Sequence, residues 1–180
     1  MRMKKGYKLN WTIPLVLFLA VIIDASLPSI FPMAFLGNQQ VITSHVFLYF
    51  VVLFAFYFRY SNILICAFVI GLFYDTYNTM ILGFNASLYL LLAYIVLKAK
   101  KYFPKKAYIH FIFFMICIFF LDTLTYLFYL EINVATISML DFMVNRLTPT
   151  LIFNTVLSII LYYPSQQFLR WLGYRDFIII

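Results

Sequence analysis

The chain has 180 residues, of which 66% are hydrophobic and only 11% are charged. Soluble domains are about 45–50% apolar and about 25% charged, so this composition excludes an ordinary soluble domain and predicts a protein embedded in lipid. The formal net charge is +7, but the lysines lie in short links between apolar runs. That distribution indicates orientation in a membrane and argues against nucleic-acid binding.

Six apolar runs are predicted to form an all-α bundle of six membrane-spanning helices within residues 1–163. Roughly 20 helical residues cross a bilayer core, and most of the runs approach that length. The link between the third and fourth runs is so short that these two runs predict a tight antiparallel hairpin. In chain order the predicted spans are 11–28, 41–58, 62–79, 82–97, 108–130 and 142–163.

The two ends of the chain need separate predictions. A cleaved signal peptide is the alternative for the first run, but the run is longer than a usual signal-peptide core and the cleavage-site match is poor, so we expect it to be retained. After Pro164, residues 164–180 mix apolar side chains with Gln and Arg. They predict a short helix in the cytoplasmic interface, either resting on the membrane or docking a partner.

The basic residues orient the predicted bundle. Twelve of the 13 fall on one side, in the N-terminal tail, at Arg59, in the fourth–fifth link and in the C-terminal tail. The opposite links carry Glu131 and Asp141. By the positive-inside rule both termini are predicted to be cytoplasmic. The fourth–fifth link is the most basic segment and contains Lys98, Lys100, Lys101, Lys105 and Lys106.

Four charged residues interrupt the apolar runs: Asp24, Asp75, Asp122 and Arg146. An intramembrane charge costs at least about 2.5–3.5 kcal/mol, so such residues usually face a bundle interior. Counted from the predicted helix ends, all four lie at similar depth in the outer half of the membrane. We expect Arg146 to pair with at least one aspartate. A structural latch, a substrate cavity, an ion or proton path and a conformational switch all remain open.

Helical spacing extends this layer into polar stripes. The remaining stripe positions are Gly71, Asn78, Thr79, Thr125, Thr150 and Asn154. Pro149 is expected to free a backbone carbonyl beside Arg146 for a polar neighbour. Small residues in the fourth run, including Ala86, predict close helix contact. The aspartates recur at intervals of 51 and 47 residues, which suggests a weak repeat of three helical hairpins.

The chemistry of catalysis and metal binding is not predicted. The sequence has no Ser/His/Asp or Cys/His arrangement at a shared depth, no metal-ligand spacing and no glycine-rich phosphate loop. No cofactor is therefore expected. His45 and His110 are predicted to be packed or interfacial side chains, and Cys66 and Cys117 are not expected to form a disulfide.

One hairpin carries a family resemblance. The run from Gly71 to Asp75 (G-L-F-Y-D), followed by Leu82-Gly83 and the stretch from Leu88 to Tyr94, resembles the hairpin of MreD, a family of bacterial rod shape-determining membrane proteins. The length, the six runs and the basic link resemble that family too. The resemblance implies a non-enzymatic multi-pass protein of the bacterial cytoplasmic membrane, within the peptidoglycan elongation machinery.

The same resemblance implies partners. MreD-like proteins associate with the membrane protein MreC and help to couple cytoskeletal MreB to the wall-synthesising enzyme RodA and its transpeptidase, so regulating cell shape. The lysine link would face MreB or anionic lipid, or would serve orientation alone.

The family also resembles in fold the substrate-binding S-components of energy-coupling-factor vitamin transporters, which is the alternative function. Those proteins usually carry an A-x-x-x-A contact in the first span, whereas here Ala20 is followed by Asp24.

Overall fold

A computed structural model describes residues 3–37, 40–58, 62–78 and 81–173, with the side chains of residues 3–10 and 78 left out. The described chain is built from helices. They are α1 (Met3–Ile30), α2 (Pro32–Phe35), α3 (Val46–Tyr57), α4 (Ile63–Asn78), α5 (Phe84–Ala99), α6 (Ala107–Glu131), α7 (Met139–Phe142) and α8 (Thr148–Trp171). A 3-10 turn follows α5 at Lys100–Tyr102, and a π-helical turn at Met143–Leu147 joins α7 to α8.

Three helical stretches among the described residues are long and apolar enough to cross a membrane. They are Trp11–Ile30, Ala107–Glu131 and the continuous helix Met139–Trp171. Two shorter apolar helices are Val46–Tyr57 and Ile63–Tyr77. The composition and these helices make the chain an all-helical membrane protein. The count of six spans stays a prediction.

Helix α3 occupies the centre of the bundle. Every residue of α3 except Phe50 is buried, and Phe47, Phe54 and Phe56 are completely covered. A helix that is apolar on all sides belongs in an interior. At 12 residues α3 extends for only about 18 Å, because residues 41–45, predicted to start the second span, are not helical.

Helices α4 and α5 form the close hairpin predicted from the short link between them. A Cβ added to Gly71 of α4 would lie 2.9 Å from Cα of Ala86 on α5, which is closer than real Cβ atoms approach. Gly83 precedes α5 with φ of 89°, in the left-handed region that glycine adopts without strain. The prediction of close contact through small residues is confirmed.

The last helix does not stop at the predicted boundary near Pro164. Helix α8 continues through that residue to Trp171. Leu169 and Leu172 are buried in the main core, and the ring of Phe168 lies 6.1 Å from that of Phe54. The start of the predicted interfacial tail is therefore packed on α3, and the rest of that tail, after residue 173, lies outside the described residues.

Candidate functional site

An extended segment, residues 41–45, lies just before α3, and the exposed fraction of its side chains falls from 37% at Val41 to 1% at His45. Backbone without helical hydrogen bonds is tolerated at membrane depth only where protein or a cavity surrounds it. Here the polar stripe of α8 supplies the partners. Thr43 N–H donates to Oγ1 of Thr150 at 3.1 Å, and His45 N–H donates to Oδ1 of Asn154 at 2.9 Å. The amide of Asn154 also donates to the carbonyls of Thr43 and Thr150, both at 2.8 Å.

The carbonyl freed by Pro149 joins the same network. Proline has no N–H, so the carbonyl of Asn145, four residues earlier, loses its helical donor. Val41 N–H donates to that carbonyl at 2.9 Å. The prediction that Pro149 frees a carbonyl for a neighbour is confirmed, and the neighbour is the backbone of the extended segment.

Two of the intramembrane aspartates accept hydrogen bonds from helix N-termini. The carboxylate of Asp24 accepts the N–H groups of Val46 at 2.9 Å and Phe47 at 2.8 Å, at the start of α3. Asp75 accepts those of Gly83 at 2.9 Å and Ala86 at 3.1 Å, at the start of α5. The first N–H groups of a helix have no partner within it, and the helix dipole favours an anion there.

The third aspartate faces a histidine. Nε2 of His45 lies 3.2 Å from Oδ1 of Asp122, an ion-pair distance when the imidazole is protonated, although the two atoms are not aligned for a hydrogen bond. Both side chains are buried. Asp122 thus connects α6 to the residue immediately before α3.

Arg146 does not form the predicted ion pair. Among residues 3–37, 40–58, 62–78 and 81–173, the one ion pair joins His45 to Asp122. Nε of Arg146 is buried and has no hydrogen-bond partner. The expectation of an arginine paired with an aspartate is wrong, because helix N-termini hold Asp24 and Asp75 while His45 holds Asp122. Arg146 lies in the π-helical turn, a rare feature that often marks functional sites.

A cavity of about 550 Å³ brings three of the four charged residues together. Asp24, Asp122 and Arg146 line it, while Asp75 does not. Asn85 and Thr125 form another part of its wall, where Thr125 Oγ1 lies 3.3 Å from Oδ1 of Asn85. Five tyrosines complete the polar lining: Tyr74, Tyr77, Tyr89, Tyr126 and Tyr129. Within the described residues, no group of three or more His, Cys, Asp and Glu side chains fits a metal ion.

The remaining predicted site residues divide into groups. Gly71 serves the α4–α5 contact, and Thr150 and Asn154 serve the extended segment. Thr79 and the side chain of Asn78 lie outside the described residues.

One lysine of the 98–106 link is bonded to the end of α3, and the other four are exposed. Nζ of Lys100 donates to the carbonyls of Ala55 and Phe58, both at 2.6 Å, at the end of α3. Lys98, Lys101 and Lys106 are exposed and lie over the rings of their neighbours Tyr94, Tyr102 and Tyr108. Lys105 is exposed as well. Lys100 is therefore part of the folded core, and its neighbours form the basic surface.

Sequence reasoning did not predict the contacts that His45, Thr43 and Asn85 make at this site. The sequence treats residues 41–58 as one apolar span, although Thr43, Ser44 and His45 are three consecutive polar residues at its start. That cluster was the available signal for a non-helical entry to α3. Nothing local singles out Asn85, whose partner Thr125 lies 40 residues away.

These features define an integral membrane helix bundle whose buried polar groups hold its elements together beside an open cavity. The family model for the rod shape-determining protein MreD matches residues 5–172, and the chain belongs to that family. No curated protein and no solved structure matches the chain. The family assigns the protein to the determination of rod shape in cells.

Proposed function

We propose that the protein is a non-enzymatic membrane scaffold of the bacterial elongation machinery. It binds an MreC-like membrane protein and, through it, helps to couple cytoskeletal MreB to peptidoglycan synthesis by RodA and its transpeptidase. The observation that carries this proposal is the family match across residues 5–172, which spans all eight helices nearly in full. The proposed site of action is the cytoplasmic membrane, with both termini on the cytoplasmic side.

The outer face of α8 is the proposed contact for the MreC-like partner. Five side chains on this face are between 53% and 68% exposed, at helical spacing: Ile152, Val156, Ile159, Ile160 and Tyr163. Such a stripe packs equally well against lipid or a transmembrane helix, because apolar helices associate in membranes through close packing. The exposed lysines of the 98–106 link are proposed to meet MreB or anionic lipid.

Affinity purification of the tagged protein from native membranes tests the scaffold proposal. We expect recovery of an MreC-like protein and wall-synthesis enzymes. Recovery of coupling-factor ATPase subunits in their place would contradict it and favour the S-component alternative.

Photo-crosslinking residues then locate the contact. Probes at Ile152 and Ile159 on α8 are expected to capture the MreC-like partner, whereas matched probes at Leu19 and Ile22, exposed on α1, are not. Capture from α1 alone would move the interface to that helix without affecting the scaffold assignment.

A further inference from the structure

We propose that the cavity lined by Arg146 and Asp122 is a binding site for a small organic anion that also carries hydroxyl or ammonium donors. Arg146 would bind the anionic group, and Asp122 would accept from the donors. This site is separate from the proposed scaffold contacts.

Arg146 supplies the first part of the argument. Its Nε is buried and has no hydrogen-bond partner, and the side chain forms no ion pair with Asp24, Asp75 or Asp122. A buried donor without a hydrogen-bond partner costs free energy, and no carboxylate among the described residues forms an ion pair with the partly exposed Arg146 side chain. The guanidinium offers donors in a planar fork that fits a carboxylate or phosphate. A ligand anion in the cavity that Arg146 lines would neutralise this charge.

Asp122 and His45 supply the second part. They are 5% and 1% exposed, and Oδ2 of Asp122 and Nδ1 of His45 have no hydrogen-bond partner. An unpaired buried polar group costs about 1–3 kcal/mol, so these atoms favour a ligand that supplies hydrogen bonds. Oδ2 of Asp122 accepts a hydroxyl or ammonium group. Asp24 differs because both of its oxygens already accept N–H groups of α3.

The cavity itself sets the size of the ligand. A volume of about 550 Å³ falls within the roughly 300–1,000 Å³ typical of small-molecule sites. The walls come from α1, the extended segment, α4, α5, α6, the link after α6 that contains Ala135, and the π-helical turn. The tyrosine rings give apolar faces with hydroxyl edges, as expected for a ligand with a short carbon skeleton and several polar groups.

The test uses the full-length protein in detergent, with ligand binding followed by thermal shift and by calorimetry. The probes are gluconate, D-alanine and glycerol 3-phosphate, which combine an anion with donors. Acetate, which lacks the donors, and glucose, which lacks the anion, are the ligand controls. We expect at least one of the three probes to bind and both controls to bind at least about tenfold more weakly, the loss expected for one charge-assisted hydrogen bond.

Protein variants assign the binding to the cavity. Arg146→Gln is expected to weaken binding of the successful probe by about tenfold or more, whereas Arg170→Gln, at an exposed arginine of α8, leaves it unchanged. Ala135→Phe fills the cavity from its wall without altering a charge. This variant is expected to abolish binding, and it keeps the test decisive if Arg146→Gln does not fold.

Three results would overturn the proposal. They are the absence of binding for all three probes, equal binding by wild type and Ala135→Phe, or acetate binding as tightly as gluconate and D-alanine. If none of the three probes binds, water or a side chain of a partner protein would be the expected occupant of the cavity. Recovery of the MreC-like partner is scored separately with the same variants, so failure of the ligand site and failure of the scaffold proposal are distinguishable.

Discussion

Asp24 and Asp75 occupy equivalent positions in two successive helical hairpins, because each carboxylate accepts N–H groups from the start of the returning helix. Asp24 holds Val46 and Phe47 of α3, and Asp75 holds Ala86 of α5. The third hairpin departs from this pattern, since Asp122 faces His45. The intramembrane aspartates thus serve as helix caps in the first two hairpins and as a cross-connection in the third.

Asp24→Ala is expected to destabilise the protein because the N–H groups of Val46 and Phe47 lose their acceptors inside the bundle. Each buried unpaired N–H costs about 1–3 kcal/mol. Asp24→Asn retains one acceptor oxygen and should lose less. Thermal unfolding in detergent measures both variants. Equal losses in the two would show that the negative charge, rather than the acceptors, matters.

Asn154→Leu is expected to destabilise the protein by at least about 2 kcal/mol, since it unpairs His45 N–H and the Thr43 carbonyl at once. Thr155→Val is the matched control on the same helix, because the Thr155 hydroxyl donates to the carbonyl of Leu151 within α8. Unfolding in detergent should separate the two variants clearly. Similar small losses of stability in both variants would show that Asn154 does not anchor the extended segment.

Gly71→Ala is expected to cost about 1–3 kcal/mol, the usual penalty of overpacking. The added methyl group would lie 2.9 Å from Cα of Ala86, so α4 and α5 must separate. Ser87→Ala is the control, because Ser87 is exposed and its hydroxyl donates to the carbonyl of Gly83, one helical turn earlier. A melting temperature for Gly71→Ala equal to wild type would show that the hairpin tolerates a wider spacing.

Lys100→Gln and Lys101→Gln are expected to differ. The first removes the cation that binds the Ala55 and Phe58 carbonyls and should cost on the order of 1 kcal/mol of stability. The second should leave the unfolding temperature unchanged and reduce binding to vesicles of anionic lipid. Vesicle flotation and thermal unfolding are measured on both variants. Loss of stability in Lys101→Gln, with loss of lipid binding alone in Lys100→Gln, would contradict these separate roles for the two lysines.

The charge exchange Asp75→Arg with Arg146→Asp is expected to be no better folded than either single variant. A direct ion pair between Asp75 and Arg146 would instead predict partial restoration by the double change. In the structure Asp75 accepts N–H groups of the α5 N-terminus, where an arginine has no acceptor to offer. Expression level and unfolding temperature are measured for the two single variants and the double variant. A double variant that is more stable than either single variant would support a direct ion pair between residues 75 and 146.

The sequence by itself determined the membrane class, the helical hairpin of α4 and α5, the carbonyl freed by Pro149 and the family. These features depend on composition, on residue spacing and on local covalent chemistry, all of which can be read along one segment. It also identified the charged positions Asp24, Asp75, Asp122 and Arg146, because a charge in an apolar run is conspicuous.

Only the tertiary structure decided what those positions contact. The partner of Asp24 lies 22 residues away and that of Asn154 lies 109 residues away, and the sequence carries no local mark of either pairing. The predicted helical run 41–58 is helical only from Val46 onward. Residues of α8 accept hydrogen bonds from the N–H groups of Thr43 and His45, and these bonds replace those of a helix. A polar residue must be satisfied wherever it is buried, but which group satisfies it depends on how the helices pack.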